Sequence, residues 1–213
     1  MKPRKIVILL LASCICWFVI DLSFPFKTNI KNIDAAEAAR LDAAMWRSYY
    51  ERKPVTLFLR AAELIRKQFH APFWRSYIMA YHSAKAAFLF KDGKDRNEYQ
   101  QALPNLRSYF QQINAISDAQ FNVDSVAHLE LEWWIIRRYR QDYPPAEWEH
   151  YLAATAEAMY HVPSIRFAEY ARLRTDAMLL RDQKGDAITE QNWAEIHATL
   201  RRAWASFAQA LRE

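Results

Sequence analysis

Only two of the 213 residues, Gly93 and Gly185, are glycine, and that scarcity removes whole classes of fold. Tight hairpin turns need residues at φ > 0, and phosphate-cradling loops need backbone free of side chains; both demands fall mainly on glycine. A β-rich domain and a Gly-rich nucleotide loop are therefore excluded. What remains is helix, and the composition suits a packed helical chain: 52% of residues are hydrophobic, 25% charged and 15% aromatic. Disordered and fibrous sequences lie outside that range.

The N-terminus carries a second constraint. Basic residues Lys2, Arg4 and Lys5 precede Ile6 to Ile20, a run without a charge, and the apolar character continues past Asp21 to Phe26. Twenty-one residues of helix extend about 31 Å, close to the ~30 Å hydrocarbon core of a bilayer. The stretch after Ala12 has no small-residue cleavage site of the secretory type, so residues 1–26 read as a retained signal-anchor, a transmembrane helix. The basic cluster before it favours a cytoplasmic N-terminus and an extracytoplasmic remainder. Leu11-Ala12-Ser13-Cys14 resembles the bacterial lipoprotein box, which implies an alternative anchor, a lipidated Cys14. Cys14 and Cys16 are the only cysteines, so residues 27–213 can form no disulfide and no thiolate metal site. Beyond residue 26 the net charge falls to +3, which is poor support for a nucleic-acid partner.

Residues 27–33 read as a juxtamembrane linker and 34–213 as one all-α domain of about eight antiparallel helices, in a bundle or an irregular α-hairpin array. Capping residues, prolines and the two glycines mark the boundaries. The helices fall near 34–53, 55–69, 72–91, 95–116 (divided by Pro104), 123–142, 145–160, 164–184 and from 189 onward. Asp34, Asp95, Ser164 and Thr189 stand at N-cap positions, and Gly93 and Gly185 at C-termini. Helix pairs start near 35, 72, 123 and 164, spacings of 37, 51 and 41, where a tetratricopeptide-type repeat would hold about 34. Ser117 to Asn122 is the longest irregular stretch, a loop or a hinge between two four-helix halves.

The helix over 123–142 is the most informative. Its apolar residues occupy nearly every azimuth, as expected of a central helix, and Glu130 at about 40° and Arg137 at about 20° fall within the arc of Val126, Trp133 and Trp134. Burying that face draws charge into low dielectric, where it must be paired. Glu130 is thus a candidate perturbed acid or base, or one partner of a structural ion pair. His128 and Glu132 share a face at i,i+4 spacing, as do Glu157 and His161, and that spacing can place two ligands on one metal ion. Glu147 and His150 form an isolated Glu-x-x-His, short of the two copies a di-iron bundle requires. Glu169, Arg172, Arg174 and Asp176 read as a solvated charge-paired face. Ser76, Ala80, Ser83, Ala84 and Ala87 form a stripe of small residues suited to close helix contact. No nucleophile elbow, zinc-protease motif or c-type haem motif occurs, and no cofactor is implied.

The resulting expectation is a single-pass membrane protein whose extracytoplasmic helical domain acts as a binding or assembly module, with a protein partner at the membrane and a small-molecule ligand unassigned. The alternative is a metal-dependent or acid/base enzyme built in the bundle around Glu130, Glu132 and His128.

Overall fold

The computed structural model describes residues 3–24 and 26–212; Met1 and Lys2 of the basic cluster, Pro25 of the anchor segment and Glu213 lie outside the described residues. Helix α1 (Pro3–Ser23) precedes α2 (Ala35–Tyr50), α3 (Pro54–Phe69), α4 (Phe73–Asp92), the short α5 (Arg96–Tyr99) and α6 (Leu103–Ile116). There follow α7 (Val123–Arg138), α8 (Pro145–Tyr160), α9 (Ala168–Lys184) and α10 (Glu190–Arg212). Among the described residues there is no β-strand, and Thr28 and Ser117 make an isolated bridge.

Local chemistry sets the boundaries. Asp34 accepts from the backbone N–H groups of Ala36 and Glu37, and Asn122 accepts from Ser125 N. Pro54 and Pro145 occupy the first helical position of α3 and α8, where a missing N–H costs nothing. Pro104 does divide its segment, into α5, a 3₁₀ turn over Gln100–Ala102 and α6. The helix over 123–142 is shorter than its sequence suggests: it stops at Arg138, and residues 139–142 continue as turns. Ser164 does not cap with its hydroxyl: it opens a 3₁₀ turn to Phe167, and its N–H donates to Glu157 Oε2 at 2.9 Å.

Each long helix of the domain packs on the next, α2 on α3, α3 on α4, α4 on α6, α6 on α7, α7 on α8, α8 on α9 and α9 on α10, and α10 packs back on α2. The eight therefore close a ring, and no helix is central. α7 satisfies its many apolar azimuths differently: α6 and α8 flank it, while Trp134 meets Phe90 of α4 at 5.4 Å. Residues 27–33 are not a loose tether. Thr28 N donates to Ile116 O (2.7 Å), Asp118 N to Thr28 O (3.0 Å), and Ile30 is buried in the core.

The ring consists of two similar halves. α2 and α7, and likewise α3 and α8, are each 16 residues long. α3 and α8 end at His70 and His161, both left-handed (φ 53° and 54°), in Phe-His-Ala-Pro and Tyr-His-Val-Pro. His70 Nε2 bonds Asn32 O at 2.6 Å and His161 Nε2 bonds Gln120 O at 2.7 Å. Each acceptor lies two residues before the N-cap of its half. The buried residues repeat too: Ala62, Ile65, Phe69, Met79, Ala80 and Ala86 correspond, 91 positions on, to Ala153, Ala156, Tyr160, Tyr170, Ala171 and Ala177.

One helix, over Arg4–Ser23, is long and apolar enough to cross a membrane. Its side chains from Ile6 to Leu11 are exposed, whereas its C-terminal end is fastened to α4. Asp21 is buried and accepts from Trp74 N (2.8 Å) and Arg75 N (3.3 Å) in the first turn of α4, where the helix dipole favours an anion. Arg75 Nη2 donates in return to Leu22 O (2.6 Å) and Asp21 O (3.2 Å). Trp17 stacks on Phe73 at 5.3 Å, and Phe18 meets Trp74 edge-on at 5.5 Å.

Candidate functional site

The ring surrounds a partly open cavity of about 220 Å³ to which all eight long helices contribute. Corresponding positions of the two halves line it. Asp42 and Met45 of α2 face Glu130 and Trp133 of α7, and Ser83 of α4 corresponds to Arg174 of α9. Phe69 and Tyr160, at the ends of α3 and α8, also line the cavity, as do Phe110 of α6 and Phe207 of α10.

Charge breaks the equivalence. Arg174 Nη1 donates to Asp42 Oδ2 at 2.5 Å, with side chains only 15% and 1% exposed. Trp204 Nε1 donates to the same oxygen at 3.0 Å, and the guanidinium lies 5.4 Å from the Trp46 ring centroid. Burial opposes the Arg174 charge, but Asp42, Tyr170 and Glu130 outweigh it and raise its pKa above the ordinary arginine value. Arg174 is therefore not on the solvated face expected of it. Arg172 bonds Glu169 and Asp176 there (2.8 and 2.9 Å), and two residues further on a helix turns roughly 200°, which points Arg174 inward.

Glu130 is half-buried and lines the cavity. Its hydrogen bond comes from Trp134 Nε1 at 2.9 Å, and among the described residues no cation forms an ion pair with it. Burial pushes its pKa up from the ordinary carboxylate value, against the Trp133 and Trp134 indoles and the more distant Arg174, which favour the charged form. Around it the phenols of Tyr109, Tyr160 and Tyr170 are driven well above the ordinary tyrosine value, chiefly by burial. They stay neutral donors at any physiological pH. Asp42 Oδ1, the Trp133 indole N–H and the Tyr160 hydroxyl are buried without a hydrogen-bond partner.

The other sequence candidates lie elsewhere. His128 is exposed, its Nδ1 2.7 Å from Asp124 O on its own helix, and Glu132 pairs with Arg96 at 2.6 Å. Arg137 bonds Asp182 of α9 at 3.0 Å rather than Glu130. Glu157 holds Ser164, whose hydroxyl and backbone N–H lower the carboxylate's pKa below the ordinary value, while His161 serves as the left-handed cap of α8. Among the described residues no group of three or more His, Cys, Asp or Glu side chains could hold a metal ion.

Asp42, Ser83 and Arg174 escaped functional attention in the sequence, although a signal for the first exists. Leu41-Asp42-Ala43-Ala44-Met45-Trp46 is echoed 88 residues later by Leu129-Glu130-Leu131-Glu132-Trp133-Trp134. Comparison with family models, with curated proteins and with solved structures finds no match to the chain.

Proposed function

We propose that the protein is a single-pass membrane protein whose helical domain stands on the extracytoplasmic side as a closed bundle and acts by binding, as an interaction or assembly module beside the bilayer. The observation that carries this reading is the contrast along α1: an uncovered apolar shaft, then an end fixed to α4 through Asp21 and Arg75. A helix held in that way presents the domain to the membrane in a defined orientation. Trp17, Phe18, Phe73 and Trp74 at the junction suit the headgroup region, where amphipathic rings concentrate. The protein partner belongs to the membrane or the space outside the cytoplasm; nucleic acid does not enter this reading.

The test combines a C-terminal reporter active on only one side of the membrane with alkaline extraction of isolated membranes. Retention in the membrane with the C-terminus outside is the expected result; release by alkali, or a cytoplasmic C-terminus, would overturn it. Intact mass separates the two anchors, since a lipoprotein would begin at a lipidated Cys14. An acid/base enzyme is a second reading, favoured by the cavity-facing Glu130 alone, because His128 and Glu132 point to other partners.

A further inference from the structure

The two halves bring the same kind of acid to the cavity but not the same counter-charge. Asp42 receives Arg174 from the opposite half; the position corresponding to Arg174 in the first half is Ser83, which lines the same cavity as Glu130 and brings no charge. Glu130 Oε1 accepts from Trp134, and the Trp133 indole also favours its charged form, but among the described residues no cation pairs with this cavity-lining carboxylate. Burying a carboxylate without a counter-charge is costly, and in the other half the same cost is met by a guanidinium lying over Trp46.

We propose that the cavity is a binding site for a small organic cation, a protonated amine or guanidine with an apolar body, whose charge stands against Glu130 where the first half supplies no arginine. Size, charge and wall chemistry agree. A cavity of about 150 Å³ holds a benzene ring, so about 220 Å³ takes a ring with a short cationic arm. Trp133, Tyr109, Tyr160 and Phe207 line the space, and aromatic faces attract cations most strongly where water is excluded. An anion would meet two carboxylates and find the one guanidinium among the described lining residues, that of Arg174, committed to Asp42. A neutral ligand would leave the Glu130 charge as it was.

This deepens the binding reading by naming a ligand class, and its test does not depend on membrane orientation. The full-length protein in detergent micelles is titrated calorimetrically with benzylammonium chloride and with benzyl alcohol, against micelle blanks. Benzylammonium should bind saturably at one site, at least about tenfold tighter than the alcohol, a difference of about 1.4 kcal/mol. Glu130→Gln should abolish that preference. Ser83→Arg, which supplies the missing guanidinium from the chain itself, should eliminate benzylammonium binding and raise the melting temperature.

Affinity should also rise with pH, because burial holds the Glu130 pKa above the ordinary carboxylate value and the cation requires the charged form. The other groups facing it are Asp42 and Arg174, bonded to each other, and Tyr109, Tyr160 and Tyr170, kept neutral by burial. Equal affinity for the two probes, no saturable binding of either, or a Glu130→Gln protein that keeps the preference would each overturn the proposal. Should Glu130→Gln fail to fold, the ratio of the two probes on the unmodified chain decides by itself. Orientation is read separately, from the reporter in cells, so the failure of one proposal is not mistaken for the failure of the other.

Discussion

The first half of the ring closes its buried charge and the second half does not. Both present an acid from their first helix to the cavity, Asp42 and Glu130, and both follow it with a tryptophan four residues on, Trp46 and Trp134. Asp42 is bonded by Arg174 and Trp204, whereas Glu130 has only an indole N–H. Equivalent scaffolding thus carries a structural ion pair at one position and a poised carboxylate at the other. Where the two halves diverge in a cavity-lining charge, the position without an ion pair is the one proposed to receive a ligand.

Removing Arg174 breaks the comparison most severely. Arg174→Ala strands Asp42 in the interior and should cost about 3–5 kcal/mol, the usual penalty for breaking a buried pair. Ser83→Ala, at the corresponding position, should cost less than about 1 kcal/mol. Denaturant melts of the full chain in one detergent measure both.

The glycines that end α4 and α9 differ in kind. Gly185 has φ +50° with open space around it, so Gly185→Ala should cost about 1–3 kcal/mol through backbone strain that no neighbouring change relieves. Gly93 has an ordinary φ of −67°, but a Cβ there would lie 2.8 Å from Tyr99 Cδ1. Gly93→Ala should therefore cost less in a Tyr99→Ala background, which removes Cδ1 and Cε1, than in the unmodified chain, whereas the cost of Gly185→Ala should be the same in both, in one thermal-melt series.

Smaller effects test the sameness of the halves. Asp21 serves the first turn of α4 as Glu157 serves Ser164 ahead of α9. Asp21→Ala should cost about 0.5–2 kcal/mol, in the range for a lost cap. It should also loosen α1 from the domain, read as faster proteolysis between residues 24 and 33. Glu157→Gln should leave that segment protected. His70→Asn and His161→Asn keep a residue able to adopt the left-handed conformation and lose one hydrogen bond each, at up to about 1 kcal/mol and equally in the two halves. Unequal losses would show that the halves are less alike than their caps indicate.

Much of the fold was legible because it is written in local signals. Prolines at helix starts, N-caps at Asp34 and Asp95, and the scarcity of glycine delimit helices without reference to tertiary structure. The internal repeat was legible in principle and passed unseen. Starts near 35 and 123, and near 72 and 164, are 88 and 92 residues apart, but a search for a hairpin period near 34 hides a repeat of four helices. Closure of the ring was not legible, since α10 meeting α2 is a contact between the ends of the domain. The burial of Glu130 followed from its place among tryptophans. The role of Arg174 did not, because in sequence it sits amid Glu169, Arg172 and Asp176 and looks like one more surface charge.

Thermal melts of full-length Asp42→Asn and Glu130→Gln, each against the unmodified chain at pH 5 and pH 8, test the asymmetry most directly. Burial raises the Glu130 pKa above its unfolded value. Its ionisation therefore destabilises the fold, with a penalty that is absent below the unfolded value and grows as pH rises through the folded one. Glu130→Gln removes that penalty and should gain in melting temperature relative to the unmodified chain at pH 8 more than at pH 5. Asp42→Asn should lose stability at both. Equal losses from the two variants, unchanged between the two pH values, would contradict the account.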